Sequence, residues 1–244
     1  FQRQYDIVEC RTTGYEVLAR WHSPVLGPVS PVEFIPLAER TGMISKLTLT
    51  VLRKALAALP MLPENTRLSV NLSAHDIGSP AAIDDIVRLV EQAGAPCRID
   101  FEITETAVMR DIKQAGDSLV RLLALGAKIA LDDFGTGHSS LTHVQKLPLD
   151  RIKIDRSFVA EICNDPTSRA IVRTTTDLCR NLGISCVIEW VETNDQLEAI
   201  DALGGTVIQG YLFGRPVDEA GMLGQLAHER EQGKPTDARA MGVH

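Results

Sequence analysis

The chain has 244 residues, 44% of them hydrophobic and 23% charged, with a formal charge of -7. That length suits one α/β barrel, the apolar fraction supplies a large core, and the acidic balance argues against a DNA or RNA polymer as partner. No run reaches the length of a membrane-spanning helix, no secretory signal is evident, and the five scattered cysteines (Cys10, Cys97, Cys163, Cys179, Cys186) lack metal spacing and read as thiols of a reducing, cytoplasmic compartment.

The chain begins without Met and is already strand-like, as a segment of a longer protein with further domains would be. Gln4 to Trp21 predicts two strands around a turn at Thr12-Thr13-Gly14. Ser30 and Pro31 predict a helix over 31–41 through a cap and a first-turn proline, and Gly42 ends it. Ile44, Leu47, Val51, Leu52, Ala55, Leu56 and Leu59 recur at helical spacing. After a strand ending at Asn71, Ile83, Ile86, Val87 and Val90 give another helical face, stopped by Gly94 and Pro96. A strand ending at Glu102 leads into helical sequence as far as Leu125, stopped by Gly126, and the next strand runs to Asp132.

Strands at Lys153 and Glu189 bracket a helix opened by Asp165-Pro166, with Ile171, Val172, Thr175, Leu178, Cys179 and Leu182 on its apolar face and Gly183 at its end. Thr193 and Gln196 have capping-box spacing, a short strand ends at Gln209, and a last helix starts near Asp218. Periodicity fails near Glu229, which divides the chain into a barrel over 1–228 and a polar, mobile tail over 229–244.

The strand-like runs share one property: each carries a carboxylate, carboxamide or lysine at its end, and helical patterns separate most of them. Parallel strands with their polar ends on one rim are the signature of an α/β barrel with its chemistry at that rim. Glu16, Asn71, Glu102 and Asp132 together form a hard oxygen set, suited to Mg²⁺ or Mn²⁺ and unsuited to a thiolate zinc site. Adjacent Asp132 and Asp133 repel each other unless a cation or proton intervenes, and Gly135 and Gly137 let the chain bend after them. The bland alternative for this pair is a solvated turn with helix-capping aspartates. Asp100 is read as facing the other side of its strand from Glu102, in a structural role.

Lys153 is either one half of a core salt bridge or a cation that holds a water or a phosphate oxygen. Asp155, two residues on, is placed to orient it. Glu189 at its strand end can bind metal or accept a proton, whereas Glu192 is equally a helix-entry residue. Gln209 can hydrogen-bond substrate or a metal-bound water, and Arg20, four residues after Glu16, is a phosphate clamp. The six scattered histidines offer no partner to Ser139 or Cys186, which argues against a Ser–His or Cys–His acyl-transfer site.

These residues resemble the EAL domains, the cyclic di-GMP phosphodiesterases of bacterial signalling. The signature stands here as Glu16-Val17-Leu18, and the likeness continues through Phe34 to Glu39, Ser69 to Ser73, Glu102 to Glu105, Asp132-Asp133, Lys153-Ile154-Asp155, Glu189 to Thr193 and Gln209-Gly210-Tyr211. It covers Gln4 to about Leu226. The resemblance implies a TIM-type (β/α)8 barrel with an atypical antiparallel first strand, hydrolysing cyclic di-GMP to linear pGpG with two Mg²⁺ or Mn²⁺ ions.

By the same resemblance Glu16, Asn71, Glu102 and Asp132 ligate one metal, and Asp132, Asp133 and Glu189 a second. Lys153 meets the nucleophilic water, Glu189 is the general base, and Gln209 lies beside them. Glu105 braces the glycine loop, with Asp155 and Glu192 also in support. Arg20 and Leu18 contact substrate, and a homodimer forms through the loop after Asp133. Three positions depart from the family pattern: Val17 for alanine, His138 for tyrosine and Trp190 for glycine. A catalytically silent cyclic di-GMP receptor is the second reading, although such domains lose ligands that this chain keeps. A Schiff-base lysine at Lys153 is the third.

Overall fold

The computed structural model describes residues 1–94, 98–135 and 147–231. Eight strands close into a barrel in the order β1 (Gln2–Asp6), β10 (Val207–Gln209), β9 (Ser185–Ile188), β8 (Arg151–Ile154), β7 (Lys128–Phe134), β6 (Ile99–Thr104), β5 (Arg67–Leu72) and β2 (Arg11–Val17), which returns to β1. β1 runs antiparallel to both of its neighbours, and every other pairing in the barrel is parallel. The predicted barrel with one reversed first strand is therefore the observed fold. A two-stranded ribbon, β3 (Trp21–Ser23) with β4 (Gly27–Val29), stands apart from it.

The hairpin that starts the chain turns at residues 7–10, and not at Thr12-Thr13-Gly14 as the sequence predicts. Asp6 Oδ1 accepts from the Val8 and Glu9 amides and Cys10 adopts φ +51°, so the turn needs no glycine. Gly14 serves close approach: a Cβ there would stand 2.8 Å from the Arg67 carbonyl oxygen of β5. The pairing shifts register between Gln4 and Tyr5, a bulge that adds twist to β2 just before Glu16.

The helices form where capping and apolar spacing predict them. Helix Pro31–Arg40 follows Ser30, Ile44–Ala58 buries Leu52, Ala55 and Leu56, and Pro80–Ala93 buries Ile83, Ile86 and Val90 before Gly94 closes it at φ +66°. The sequence expected between Glu102 and Leu125 divides into Glu105–Met109 and Ile112–Ala124, because Asp111 caps a new helix start. Helix Pro166–Leu182 is capped by Asp165, and Asn194–Ala202 carries the predicted Thr193/Gln196 capping box. Leu182 is largely exposed and Ser168 buried, so the Pro166–Leu182 face is rotated slightly from the predicted one.

The last helix, Glu219–Glu231, runs past the predicted boundary at 229. Glu229 is held by the Arg3 guanidinium and accepts from the Thr12 amide at 2.8 Å and hydroxyl at 2.5 Å, which ties the helix to the β1–β2 hairpin. Residues 232–244 of the expected tail lie outside the described residues, as do Cys97, Gly137, His138 and the rest of the 136–146 segment.

Strand alternation sorts the barrel into two environments. Leu68, Val70, Ile99, Phe101, Ile103, Ile129, Leu131, Ile152, Ile154, Ile188 and Ile208 belong to the apolar core under the helices. The alternate positions line the barrel axis, and at its two ends they are polar. Asp100 is among them. It lies two residues from Glu102 and so shares its face, a correction to the sequence reading. It is nonetheless structural, an ion-pair partner of Arg67 and Arg151 near the opposite end of the barrel.

Candidate active site

Lys153 is the geometric centre of the site. Its side chain is 1% exposed, and its ammonium stands 2.5 Å from Glu102 Oε2, 2.7 Å from Glu189 Oε1, 3.3 Å from Glu16 Oε2 and 3.4 Å from Asp132 Oδ2. Five strands thus deliver one ammonium and four carboxylates to one point at the carboxyl end of the barrel. Asn71 Nδ2 donates to Glu16 Oε1 at 2.7 Å, and Gln209 Nε2 donates to Glu16 Oε2 at 2.6 Å. Glu16, Asn71, Glu102, Asp132, Lys153, Glu189 and Gln209, singled out on seven separate strands, come together.

Asp132 and Asp133 reach this point by a route the sequence does not announce. β7 pairs Leu131 with Ile152 and Phe134 with Ile154, so the two aspartates oppose the single residue Lys153. This is a β-bulge, and Asp133 takes φ +56° within it. The Asp133 amide donates to Asp132 Oδ1 at 2.9 Å. Gly135 follows at φ +95°, packed so closely on Phe158 that a Cβ would stand 2.9 Å from its ring.

The electrostatics follow from crowding. Burial, backed by Asp132 and Glu16, outweighs the attraction of Lys153 and pushes the Glu189 carboxyl up to about 8. Glu102 is held well above the carboxylate range by burial and by Glu16. Asp133 is raised by burial and by Asp132. Glu16 goes down: burial opposes ionisation, but Lys153 and the Gln209 and Asn71 amides together outweigh it. Burial opposes the charge on Lys153 too, and Asp132, Glu102, Glu16 and Glu189 more than offset it, so its pKa lies well above 10.5. A Schiff-base lysine needs the opposite shift, and the four carboxylates around the Lys153 ammonium argue against that reading.

Among the described residues, no three acidic, histidine or cysteine side chains stand ready in metal-ligand geometry, because the carboxylates close on the Lys153 ammonium instead. The residues nevertheless fit hard cations. Four carboxylates face a single ammonium, and the surplus negative charge needs protons or cations. Glu102 Oε1 is buried with no hydrogen-bond partner among the described residues, an acceptor whose unmet demand a cation would fill.

The site opens into a cleft of about 530 Å³ lined by Leu18, Arg20, Leu47, Asn71, Asp132 and Asp133. Arg20 is exposed on its wall, and its guanidinium donates locally to the Ala19 carbonyl. Glu105 is buried in the first turn of its helix, and the glycine loop expected against it lies mostly outside the described residues. Asp155 does not orient Lys153. β8 ends at Ile154, and Asp155 caps helix Arg156–Ala160 by accepting from the Ser157 amide. Glu192 is exposed at the helix entry, where its amide donates to Gln196.

Trp190 adopts φ +57°, a conformation natural to glycine, yet its ring does not fill the site. The side chain is 41% exposed, with the Arg156 guanidinium 5.0 Å from the ring centre and Tyr211 beside it. Sequence reasoning missed the polar layer beneath the site, Gln4, Arg67 and Arg151. Even spacing back along the strand, from Asn71 to Arg67 and from Lys153 to Arg151, was the signal for both arginines.

Residues 1–216 match the family model of the EAL domain. A cyclic di-GMP phosphodiesterase of Pseudomonas aeruginosa is 37% identical over 221 residues, 89% of this chain and 38% of that protein. The solved PaMucR phosphodiesterase in complex with c-di-GMP superposes with a TM-score of 0.85 at 34% identity, covering 91% of this chain and 92% of that one. The manganese and cyclic di-GMP complex of Klebsiella pneumoniae BlrP1 gives 0.77 at 31% identity, covering 88% and 54%. The chain spans between 25% and 38% of the length of the first curated relatives it matches. No helix among the described residues is long and apolar enough to cross a membrane.

Proposed function

The chain belongs to the EAL domain family, and from that premise we propose that it hydrolyses one phosphodiester bond of cyclic di-GMP to linear pGpG, with Mg²⁺ or Mn²⁺, two per site, as cofactor. The observation that carries this is the convergence of four carboxylates from four strands on Lys153, with Glu102 Oε1 left unpartnered among the described residues. Glu16, Asn71, Glu102 and Asp132 would hold one cation, and Asp132, Asp133 and Glu189 the other. When bound, such ions lower the pKa of water and neutralise charge developing on phosphate oxygens.

The chain's own residues do the rest. Lys153, fixed as an ammonium, holds the attacking water by donation, and Glu189 accepts its proton. Gln209 locks Glu16 from the side. Arg20 draws the phosphate charge into the cleft, and Leu18 packs against the nucleotide. The same reading places the protein in the cytoplasm, which the free thiols of Cys10, Cys163, Cys179 and Cys186 support. It includes dimerisation through the segment after Asp133, and further domains in the full-length protein. Residues 232–244 have no part in it.

The test is chromatography of cyclic di-GMP incubated with the protein and Mg²⁺ or Mn²⁺, beside the Glu16→Ala variant. Linear pGpG from the native chain alone is the expected result. Tight binding without product after long incubation would move the protein to the receptor class.

A further inference from the structure

Beneath the acidic cage lies a second buried polar layer, and a thread of amides joins the two. Asp100 is paired with Arg67 and Arg151. Arg151 Nη1 donates to Gln4 Oε1 at 3.1 Å, Gln4 Nε2 donates to Gln209 Oε1 at 3.1 Å, and Gln209 Nε2 donates to Glu16 Oε2 at 2.6 Å. Gln4 is 1% exposed and Gln209 4%.

The direction of this thread is dictated by chemistry. A carboxamide can face either way until its neighbours decide. A guanidinium has only donors, so Gln4 must turn its oxygen to Arg151 and its NH₂ to Gln209. Gln209 must then turn its oxygen to Gln4 and its NH₂ to Glu16, an acceptor. A cation at one end of the barrel and a carboxylate at the other thus fix both amides without ambiguity. With its oxygen taken, Gln209 presents only donors to the site.

Building on the metal-dependent reading above, we infer that Gln4, anchored by Arg151, is a positioning residue: it sets the amide of Gln209, which sets the Glu16 carboxylate for cation binding. Without Gln4, the Gln209 oxygen is released and the amide is free to turn its oxygen toward Glu16, where it repels. Outer partners that orient metal ligands govern affinity by ~10–100-fold when removed.

The test is Mn²⁺ affinity, read from the free-ion signal in electron paramagnetic resonance, which needs no turnover. Gln4→Met keeps the shape of the side chain and removes both hydrogen bonds. It is expected to weaken Mn²⁺ binding by about tenfold. In a Gln209→Met background the same change is expected to add less than about twofold, because the thread is already cut. Gln4→Glu is the second variant: it keeps the Arg151 contact, cannot donate to Gln209, and is expected to weaken Mn²⁺ binding as Gln4→Met does.

Native-like affinity in a folded Gln4 variant, or a full additive loss in the double variant, overturns the inference. If neither variant folds, the native chain decides. Slow exchange of the Gln4 and Gln209 side-chain amide protons supports the thread, and exchange as fast as that of exposed Gln92 overturns it. If the native chain binds no Mn²⁺, the metal reading falls and takes this inference with it. Native binding that the variants leave intact overturns this inference alone.

Discussion

Replacing Lys153 by Met removes a cation shared by four carboxylates. All five side chains are 13% exposed or less, so solvent does little to screen them. Removing one partner of a buried ion pair costs about 3–5 kcal/mol, since the other charge stays buried without compensation. At ~2–4 °C of melting temperature per kcal/mol for a chain of this size, the metal-free variant should melt roughly 6–20 °C below the native protein.

The pH dependence has a definite sign. The Lys153 pKa is raised on folding, so its contribution is complete below the ordinary lysine value of 10.5 and is lost only as pH climbs through the higher folded value. At about pH 7.5 the native protein therefore holds all of it. As pH falls through the raised values of Glu189 and Glu102 those two carboxyls take up protons, the ammonium has less to neutralise, and the two proteins should draw closer. Added Mn²⁺ should return part of the loss by binding the folded state. The assay is urea and thermal unfolding in chelator, then in Mn²⁺, across this pH range. A Lys153→Met protein within about 1 kcal/mol of native at neutral pH in chelator would refute the account of a cage organised by that ammonium.

Glu102→Gln puts a neutral amide where a carboxyl is already held well above its ordinary range, so metal-free stability should change by less than about 1 kcal/mol while Mn²⁺ affinity falls by more than about tenfold, a contrast readable by thermal melts and by metal titration. Mn²⁺ affinity should increase as pH rises toward about 8 and then level, because the proton held by Glu189 must leave for a cation to enter; titration calorimetry in buffers of different ionisation enthalpy should record its release. Gly210→Ala would put a Cβ 2.1 Å from the Val191 carbonyl oxygen, which only backbone movement can relieve; a loss of about 3 kcal/mol and a displaced Gln209 are expected by unfolding and by crystallography. Trp190→Gly should leave hydrolysis of cyclic di-GMP within about threefold of native, since that ring lies beside the cage and not in it.

What the sequence shows of the site is what strand ends show. Glu16, Asn71 and Glu102 each close an apolar run, and a polar group there has few reasons to exist in a barrel other than the rim. The Asp132-Asp133 pair was legible as chemistry, but its bulge was not: the two-against-one register depends on β8, a partner 20 residues away in the chain. Gly14 was misread as a turn because a glycine that serves close approach and one that serves a bend look the same without the neighbouring strand. Glu229 was assigned to the tail because its partners, Arg3 and Thr12, stand at the far end of the chain.

Arg67 and Arg151 open their strands, where a charged residue reads as ordinary solvent-facing sequence, and only the parity with Asn71 and Lys153 turns them inward. That inward layer explains why a barrel interior can be so polar. Below, two guanidiniums face one carboxylate, and above, four carboxylates face one ammonium. Between them stand the small or apolar residues Gly14, Ser69, Ala130 and Val187 beside the Gln4–Gln209 thread. The positive surplus therefore sits at the end where the first β1–β2 turn closes the barrel, and the negative surplus at the end that opens into the cleft. Were a second lysine to replace Gln209, the upper charges would come nearer to balance, Glu102 would ionise more readily, and the demand that draws a divalent cation would fall. The amide supplies orientation without neutralising charge, and that is the physical reason for a carboxamide at this position.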